Sequence, residues 1–423
     1  MKKIFNLKLI LQSAINSRWW RNLSALTLSE IFIRLAKFII LAIAARELGP
    51  ELFGVFNYLL AIAALIAVIG DFGINKIITR NIAVDRSLIS IYSRSLGVQV
   101  IIIAIFIGLF SLGLYVFQPQ LSLVLFIMLA LFTGLNILGD YIWSFFRALE
   151  LMKLEAIAKG VQAGVVLIAG GLLLISPFPL VGLGVAYFIG AFSTALIGLY
   201  QLRTLERDIN LHPDLSVWRG LVGQSWPIAI VAVSAFIFNQ IDSIMLGLWN
   251  LLTDVGYYNA AYKIIGGLII PMFLLNQVLY PKFSKLDMTD GIALVRKNIL
   301  ANLVMYSVAL IFVGAFGKEI LELFFGAEYG IAKDAFFVLT AVLLLTALSF
   351  PVSNWLIAKD YLKVNLFISV FAAMLNITTN YILIPQFGYL GAAIATYVTY
   401  VFITLAYYVV VFIIRRKTLS GLY

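Results

Sequence analysis

The chain has 423 residues, 63% of them hydrophobic and 12% charged, with a mean hydropathy of +1.03 and a formal net charge of +10. That balance excludes a soluble domain of this length and indicates an integral membrane protein. There is no cysteine, and the single histidine, His212, lies outside the apolar runs, so thiol chemistry and cysteine metal sites are excluded and neither a metal nor a cofactor is expected.

Residues 1–22, MKKIFNLKLILQSAINSRWWRN, lack a small-residue cleavage site and are expected to form an amphipathic interfacial segment, with Trp19 and Trp20 at headgroup level. Apolar runs of about twenty residues follow, without the strict alternation of a barrel strand. They predict twelve spanning helices near 23–45, 55–78, 94–116, 121–146, 155–176, 180–201, 220–248, 255–281, 298–316, 335–357, 362–384 and 388–413. The expected class is an all-α polytopic membrane protein.

The net charge is a topology signal rather than a nucleic-acid footprint. Of the 30 basic residues, 24 fall in segments on one side of the predicted spans and three, Arg46, Lys318 and Lys333, on the other. The excess side is cytoplasmic, which puts both termini inside and the protein in the cytoplasmic membrane. Arg34, Lys37 and Lys263 are the basic residues left within spans.

In the first span Ser24, Thr27, Glu30, Arg34 and Lys37 recur every three or four residues and so share one helix face. An ionised group at the middle of a span costs roughly 2.5 to 3.5 kcal/mol, so this face is expected to line a watered cavity or to meet partner charges. A guanidinium fork and an ammonium point charge both suit phosphate oxygens, which makes Arg34 and Lys37 candidate ligands for an anionic headgroup. The plainer alternative is that Glu30 and Arg34, at i and i+4, satisfy each other.

The acidic residues of the later spans are Asp71, Asp140 and Asp242. Asp242 and Lys263 stand about two turns from the outer ends of adjacent antiparallel spans and are expected to form an ion pair, either as a structural clamp or with a role in gating or binding. Asp71 and Asp140 lie near cytoplasmic ends, where Lys76 and Arg147 can neutralise them. Glu30, Asp71, Asp140 and Asp242 are the candidates for gating or ion coupling. The amides and hydroxyls at Asn136, Ser144, Asn239, Gln240, Asn276, Gln277, Asn354, Asn376, Thr378, Thr379 and Asn380 are expected mainly to bond between helices.

The chain also repeats itself. LGPELFGVFNY at 48–58 is echoed by LGLWNLLTDVGYYNAAY at 246–262, with Gly54 on Gly256 and Asn57 on Asn259. ALELMK at 148–153 aligns with AKDYLK at 358–363, and PFPLVGLGVA at 177–186 with IPQFGYLGAA at 384–393. Three collinear echoes of the same sense indicate a six-helix unit duplicated in parallel, with a substrate path between two bundles. The expected domains are the interfacial segment 1–22, an N-terminal bundle 23–202, a cytoplasmic linker 203–219, a C-terminal bundle 220–415 and a tail 416–423.

The run Leu48-Gly49-Pro50-Glu51, continued by Phe53, Gly54 and Phe56 and later by Gly70-Asp71-Phe72-Gly73, resembles the polysaccharide-type flippases of the multidrug, oligosaccharidyl-lipid and polysaccharide exporter superfamily. IDSIMLG at 241–247, VGYYNAAYKII at 255–265, YPKFSK at 280–285 and LFFGAEY at 323–329 resemble that family's later signatures. The resemblance implies a V-shaped pair of six-helix bundles, like that of multidrug and toxin extruders, which moves lipid-linked oligosaccharide outward by alternating access. It implies roles for charges lining the cavity, here Arg34, Lys37 and Lys263 for substrate, with Asp71 and Asp242. Ser243 departs from the pattern, since relatives often carry arginine there.

The reading that results is a flippase for polyprenyl-diphosphate-linked oligosaccharide in cell-surface polysaccharide biosynthesis. It is a transporter and not an enzyme, a monomer working among membrane lipids and alongside polymerase or glycosyltransferase machinery, without nucleic acid. With no Walker loop, ATP is not its direct driver. The alternative is an ion-coupled multidrug or cation antiporter of the same superfamily, against which the basic residues of the first span argue. A membrane-bound transferase would need a large external loop or an acidic metal motif, and the sequence holds neither.

Overall fold

Hydrocarbon offers backbone amides no partner, so an apolar chain satisfies them within its own helices. In the computed structural model the described residues are 18–205, 212–286 and 288–419, with side chains described for 31–204, 212–286 and 290–416. Residues 1–17 of the interfacial segment, the centre of the linker, the end of the tail and the side chains of Ser24, Thr27 and Glu30 lie outside these residues.

The elements are α1 (Arg18–Asp71), α2 (Ile74–Val84), α3 (Leu88–Phe117), α4 (Leu123–Ala148), α5 (Met152–Leu174), α6 (Pro179–Leu205) and α7 (Leu215–Leu248). They continue with α8 (Leu252–Leu268), α9 (Ile270–Lys285), α10 (Met288–Phe325), a short 3-10 turn (Ala327–Ala332), α11 (Lys333–Ala358) and α12 (Leu362–Leu419). Ten stretches among the described residues are long and apolar enough to cross a membrane. The sequence predicts twelve because it separates segments that here run on as single helices.

Three helices contain a break, one of them α10 at Phe316 (φ −129, ψ 17). In α1 Gly49 takes φ 69 and ψ 172, a conformation closed to residues with a Cβ, and Pro50 restarts the helix without needing an amide donor. In α12 the break is Gly388, at φ 55 and ψ −132. The expected span 55–78 is also interrupted, since Phe72 (φ 43) and Gly73 (φ 76) turn the chain from α1 into α2.

The chain forms two compact units, one of Met1–Ala44 with Ala63–Ala229 and one of Ala45–Ile62 with Ile230–Tyr423. The division falls inside α1 and α7 rather than in the 203–219 linker. In the first unit, Ile74, Ile77, Ile78 and Ile82 of α2 pack with Tyr141, Trp143, Phe145 and Phe146 of α4 and Leu221 of α7. In the second, Phe283, Val352, Trp355, Leu356 and Tyr407 share a core.

The sequence echoes have matching local geometry. Helices α4 and α11 each have 26 residues. Each ends on a left-handed acidic residue, Glu150 (φ 60) and Asp360 (φ 64). The next amide closes the same cap in both, Leu151 N to Phe146 O at 2.8 Å and Tyr361 N to Leu356 O at 2.9 Å. Within the second unit, the echoed glycines meet each other. A Cβ on Gly54 would fall 1.7 Å from the Leu252 carbonyl oxygen, and one on Gly256 would fall 2.0 Å from that of Pro50. The alignment that sets Gly54 on Gly256 also sets Pro50 on Leu252, so the contact is reciprocal, as across a twofold axis. Asn57 and Asn259 likewise each donate to the carbonyl four residues back, Phe53 and Val255, at 2.8 and 2.9 Å.

Candidate functional site

In the first unit α1 is anchored by a narrow seam. Ile33 and Ala36 pack on Ala163 and Leu167 of α5, and Ile40 lies against Gly170, where a Cβ would come within 2.8 Å of it. Small residues on both sides let the helices approach closely. Arg34 and Lys37 are exposed beside this seam. At about 100° per residue, the exposed apolar residues Leu35, Ile39 and Phe32 lie on a nearly opposite arc of the same helix. The helix therefore presents an oily face and a separate cationic flank.

The first unit also holds a charged network. Lys159 bridges Asp140 and Glu155, each at 2.9 Å, and Arg147 pairs with Glu155 at 2.7 Å while donating to the Asp140 backbone oxygen at 3.0 Å. Arg147, the neutraliser expected for Asp140, reaches its backbone oxygen, and the side-chain partner is Lys159 on the next helix. One turn deeper, Gln162 donates to Asn136 at 3.0 Å and Thr194 to Gln162 at 3.2 Å, which extends the polar column between α4, α5 and α6. Asp71 ends α1 and accepts the backbone amides of Gly73 and Asn75, close enough to Asp140 and Lys76 to feel both charges.

In the second unit the principal polar site surrounds Asp242, which is 4% exposed. One carboxylate oxygen accepts the Tyr258 hydroxyl at 2.5 Å and the Thr396 hydroxyl at 3.0 Å, and the other accepts the Asn380 amide at 2.5 Å. Asn380 donates as well to Asn376, at 3.2 Å. Asn380 and Thr396 stand eight residues before and after Gly388, so the fold-back at that glycine brings them level.

The partners of Asp242 described here are neutral donors, where the sequence pointed to Lys263. On the adjoining helix Tyr258 faces Asp242, Asn259 donates to Ser243 at 2.9 Å, and Tyr262 donates to Asn239 at 3.3 Å. Lys263 follows Tyr262 and so lies more than a turn past the level of Asp242. Ser243, the departure from the family pattern, serves as the acceptor for Asn259. Of the Asp242 set, Asn376 and Asn380 stand out in the sequence as amides within an apolar run; Tyr258 and Thr396 carry no signal beyond their position on facing helices.

A carboxylate held by rotatable hydroxyls has a definite chemistry. The Tyr258 and Thr396 hydroxyls donate to the anion, and either can turn to offer a lone pair instead. The same oxygens can then accept from a protonated carboxyl or gather round a small cation.

Residues 19–287, more than half of the chain, match the family model described as polysaccharide biosynthesis protein. A protein named as the low-salt glycan biosynthesis flippase Agl15, from Haloferax volcanii, is 22% identical over 380 residues, covering 88% of this chain and 79% of its own. A protein named as an O-antigen transporter, from Shigella dysenteriae, is 25% identical over 383 residues, covering 87% of this chain and 93% of its own. Among solved structures, the lipid II flippase MurJ in an inward closed conformation superposes with a TM-score of 0.67 at 15% identity, over 90% of this chain and 86% of that one. An inward-facing multidrug resistance transporter of the MATE family gives the same TM-score at 16% identity, over 92% and 95%. The fold likeness is thus shared equally with a flippase and a drug transporter, while the two sequence relatives given above are named for glycan or O-antigen handling. The chain is a multi-pass membrane protein of the polysaccharide biosynthesis protein family.

Proposed function

We propose that this chain is a flippase that carries a polyprenyl-diphosphate-linked oligosaccharide from the cytoplasmic to the outer leaflet of the cytoplasmic membrane. The observation that carries the reading is the exposed cationic flank of α1, where Arg34 and Lys37 stand apart from that helix's exposed apolar face. Two cations within a span are costly against acyl chains, at roughly 2.5 to 3.5 kcal/mol each, and become useful in a wet passage that receives an anionic headgroup. Arg34 and Lys37, with Lys263, bind the diphosphate, and the prenyl tail stays in lipid. A drug or cation antiporter would gain nothing from that flank.

The chain crosses the membrane twelve times, with α1 and α12 each contributing two crossings about Gly49 and Gly388, and both termini are cytoplasmic. The matching caps at Glu150 and Asp360 and the reciprocal contact of Gly54 with Gly256 support a parallel duplication. Transport proceeds by alternating access between the two bundles. No bond is made or broken, so direction comes from an ion gradient or from consumption of the product outside. Asp242, with its rotatable partners, is the leading coupling group, and Glu30, Asp71 and Asp140 are the others.

The test is the double variant Arg34→Glu/Lys37→Glu in cells that depend on this protein for surface glycan. Loss of surface glycan, with lipid-linked oligosaccharide accumulating and the variant inserted at the normal level, is the expected result. Normal glycan display by the folded double variant would overturn the reading.

A further inference from the structure

We propose that Arg80, near the surface end of α2, is the centre of a phosphate site for a lipid headgroup. Helix α2 buries Ile74, Ile77, Ile78 and Ile82 and leaves Lys76 and Arg80, one turn apart, on its exposed face. It ends in the exposed turn Asp85-Arg86-Ser87, about 9 Å of helical rise beyond Arg80.

Arg80 is held by two side-chain amides. Its Nε donates to Asn81 Oδ1 at 3.2 Å and its Nη2 to Gln224 Oε1 at 3.2 Å. Both acceptors are fixed in turn: Asn81 donates to the Tyr92 hydroxyl at 2.8 Å, and Gln224 to the Gly220 carbonyl of α7 at 3.3 Å. These amides orient the guanidinium without cancelling its charge. Arg147 and Lys159, by contrast, spend theirs on Glu155 and Asp140, and Lys76 shares its field with Asp71.

A guanidinium has five N–H donors in a planar fork, and the two amides engage two of them, so the rest can close on one tetrahedral anion. Its place on an amphipathic helix ending in a charged surface turn suits a phosphate carried by a membrane lipid. Two lipids offer that group: an anionic phospholipid of the bilayer, or the diphosphate-bearing substrate before translocation.

Both sources can be separated with the full-length protein in phosphatidylcholine nanodiscs. One arm is doped with phosphatidylglycerol and the other with undecaprenyl diphosphate, and retained lipid is read by native mass spectrometry. For at least one probe, Arg80→Gln lowers retention about tenfold, in keeping with loss of a charge-assisted pair. Arg80→Lys, which keeps the charge but not the fork, loses most of it, and Arg86→Gln keeps wild-type retention. The affected arm identifies the source. The proposal is overturned if Arg80→Gln stays within about twofold of wild type for both probes, if Arg80→Lys binds as wild type does, or if Arg86→Gln loses as much. Arg80 is exposed, so an unchanged melting profile serves as the folding control. Retention is read without export, so the outcome stands apart from that of the Arg34 and Lys37 test.

Discussion

The reciprocal contact between Gly54 and Gly256 allows a quantitative test. In Gly256→Ala the new methyl would sit 2.0 Å from the Pro50 carbonyl oxygen, and in Gly54→Ala it would sit 1.7 Å from that of Leu252, whereas ordinary contact begins near 3.4 Å. Both obstacles are backbone, so no rotamer relieves them and the two helical segments must part by about 1 Å or more. Overpacking of this kind costs about 1 to 3 kcal/mol, and more where the backbone cannot shift. Because the same pair of segments is forced apart in both variants, the second alanine meets a gap already opened. The double variant should therefore cost clearly less than the sum of the singles, with a coupling above about 0.5 kcal/mol. Thermal denaturation in detergent, followed by the surviving monodisperse fraction, measures all three. Gly108→Ala and Gly113→Ala, where a Cβ meets nothing within 4 Å, provide the controls and should be neutral or stabilising by up to about 1 kcal/mol. Additive singles, or a Gly256→Ala protein as stable as those controls, would refute the reciprocal packing.

Asp242→Ala strips the acceptor from three donors and should lower stability by about 1 to 3 kcal/mol or more, whereas Asp242→Asn, similar in shape, should melt closer to wild type yet lose glycan export if the carboxylate carries the coupling ion; full export by Asp242→Asn would remove Asp242 from that role. Glu155, with 13% side-chain exposure and two cationic partners, should be less tolerant of neutralisation than Asp140 at 43%, whose replacement by Asn should stay within about 1 kcal/mol by thermal melt. Asp214 accepts the Ser216 hydroxyl and the Ser216 and Val217 amides at the start of α7, and these bonds hold its pKa below the ordinary carboxylate value. Its contribution is therefore fully present above about pH 4 and fades as pH falls through the depressed native value. Hydrogen exchange in the first turn of α7 should quicken over that acid range in wild type, and Asp214→Ala should already exchange fast at neutral pH with no such step.

Much of this molecule was determined by one-dimensional facts. Hydropathy marks the apolar stretches, the Gly49-Pro50 pair marks the break in α1, and the echo of Gly54 and Asn57 in Gly256 and Asn259 marks residues that share local geometry, because these depend on transfer energies and backbone geometry that each residue carries with it. The cationic flank of α1 was legible for the same reason, since helical periodicity alone sorts Arg34 and Lys37 from Phe32 and Ile39. The partner of Asp242 was not. Which residue on an antiparallel neighbour comes level depends on the turn between the helices, and here Tyr258 stands beside the carboxylate. Thr396 reaches the same carboxylate only because α12 folds back at Gly388, and Arg80 is aimed only because Gln224, 144 residues away, stands on the helix packed beside it. Pairings of that kind are products of helix level and rotation in the packed protein, quantities that a linear pattern of residue types does not contain.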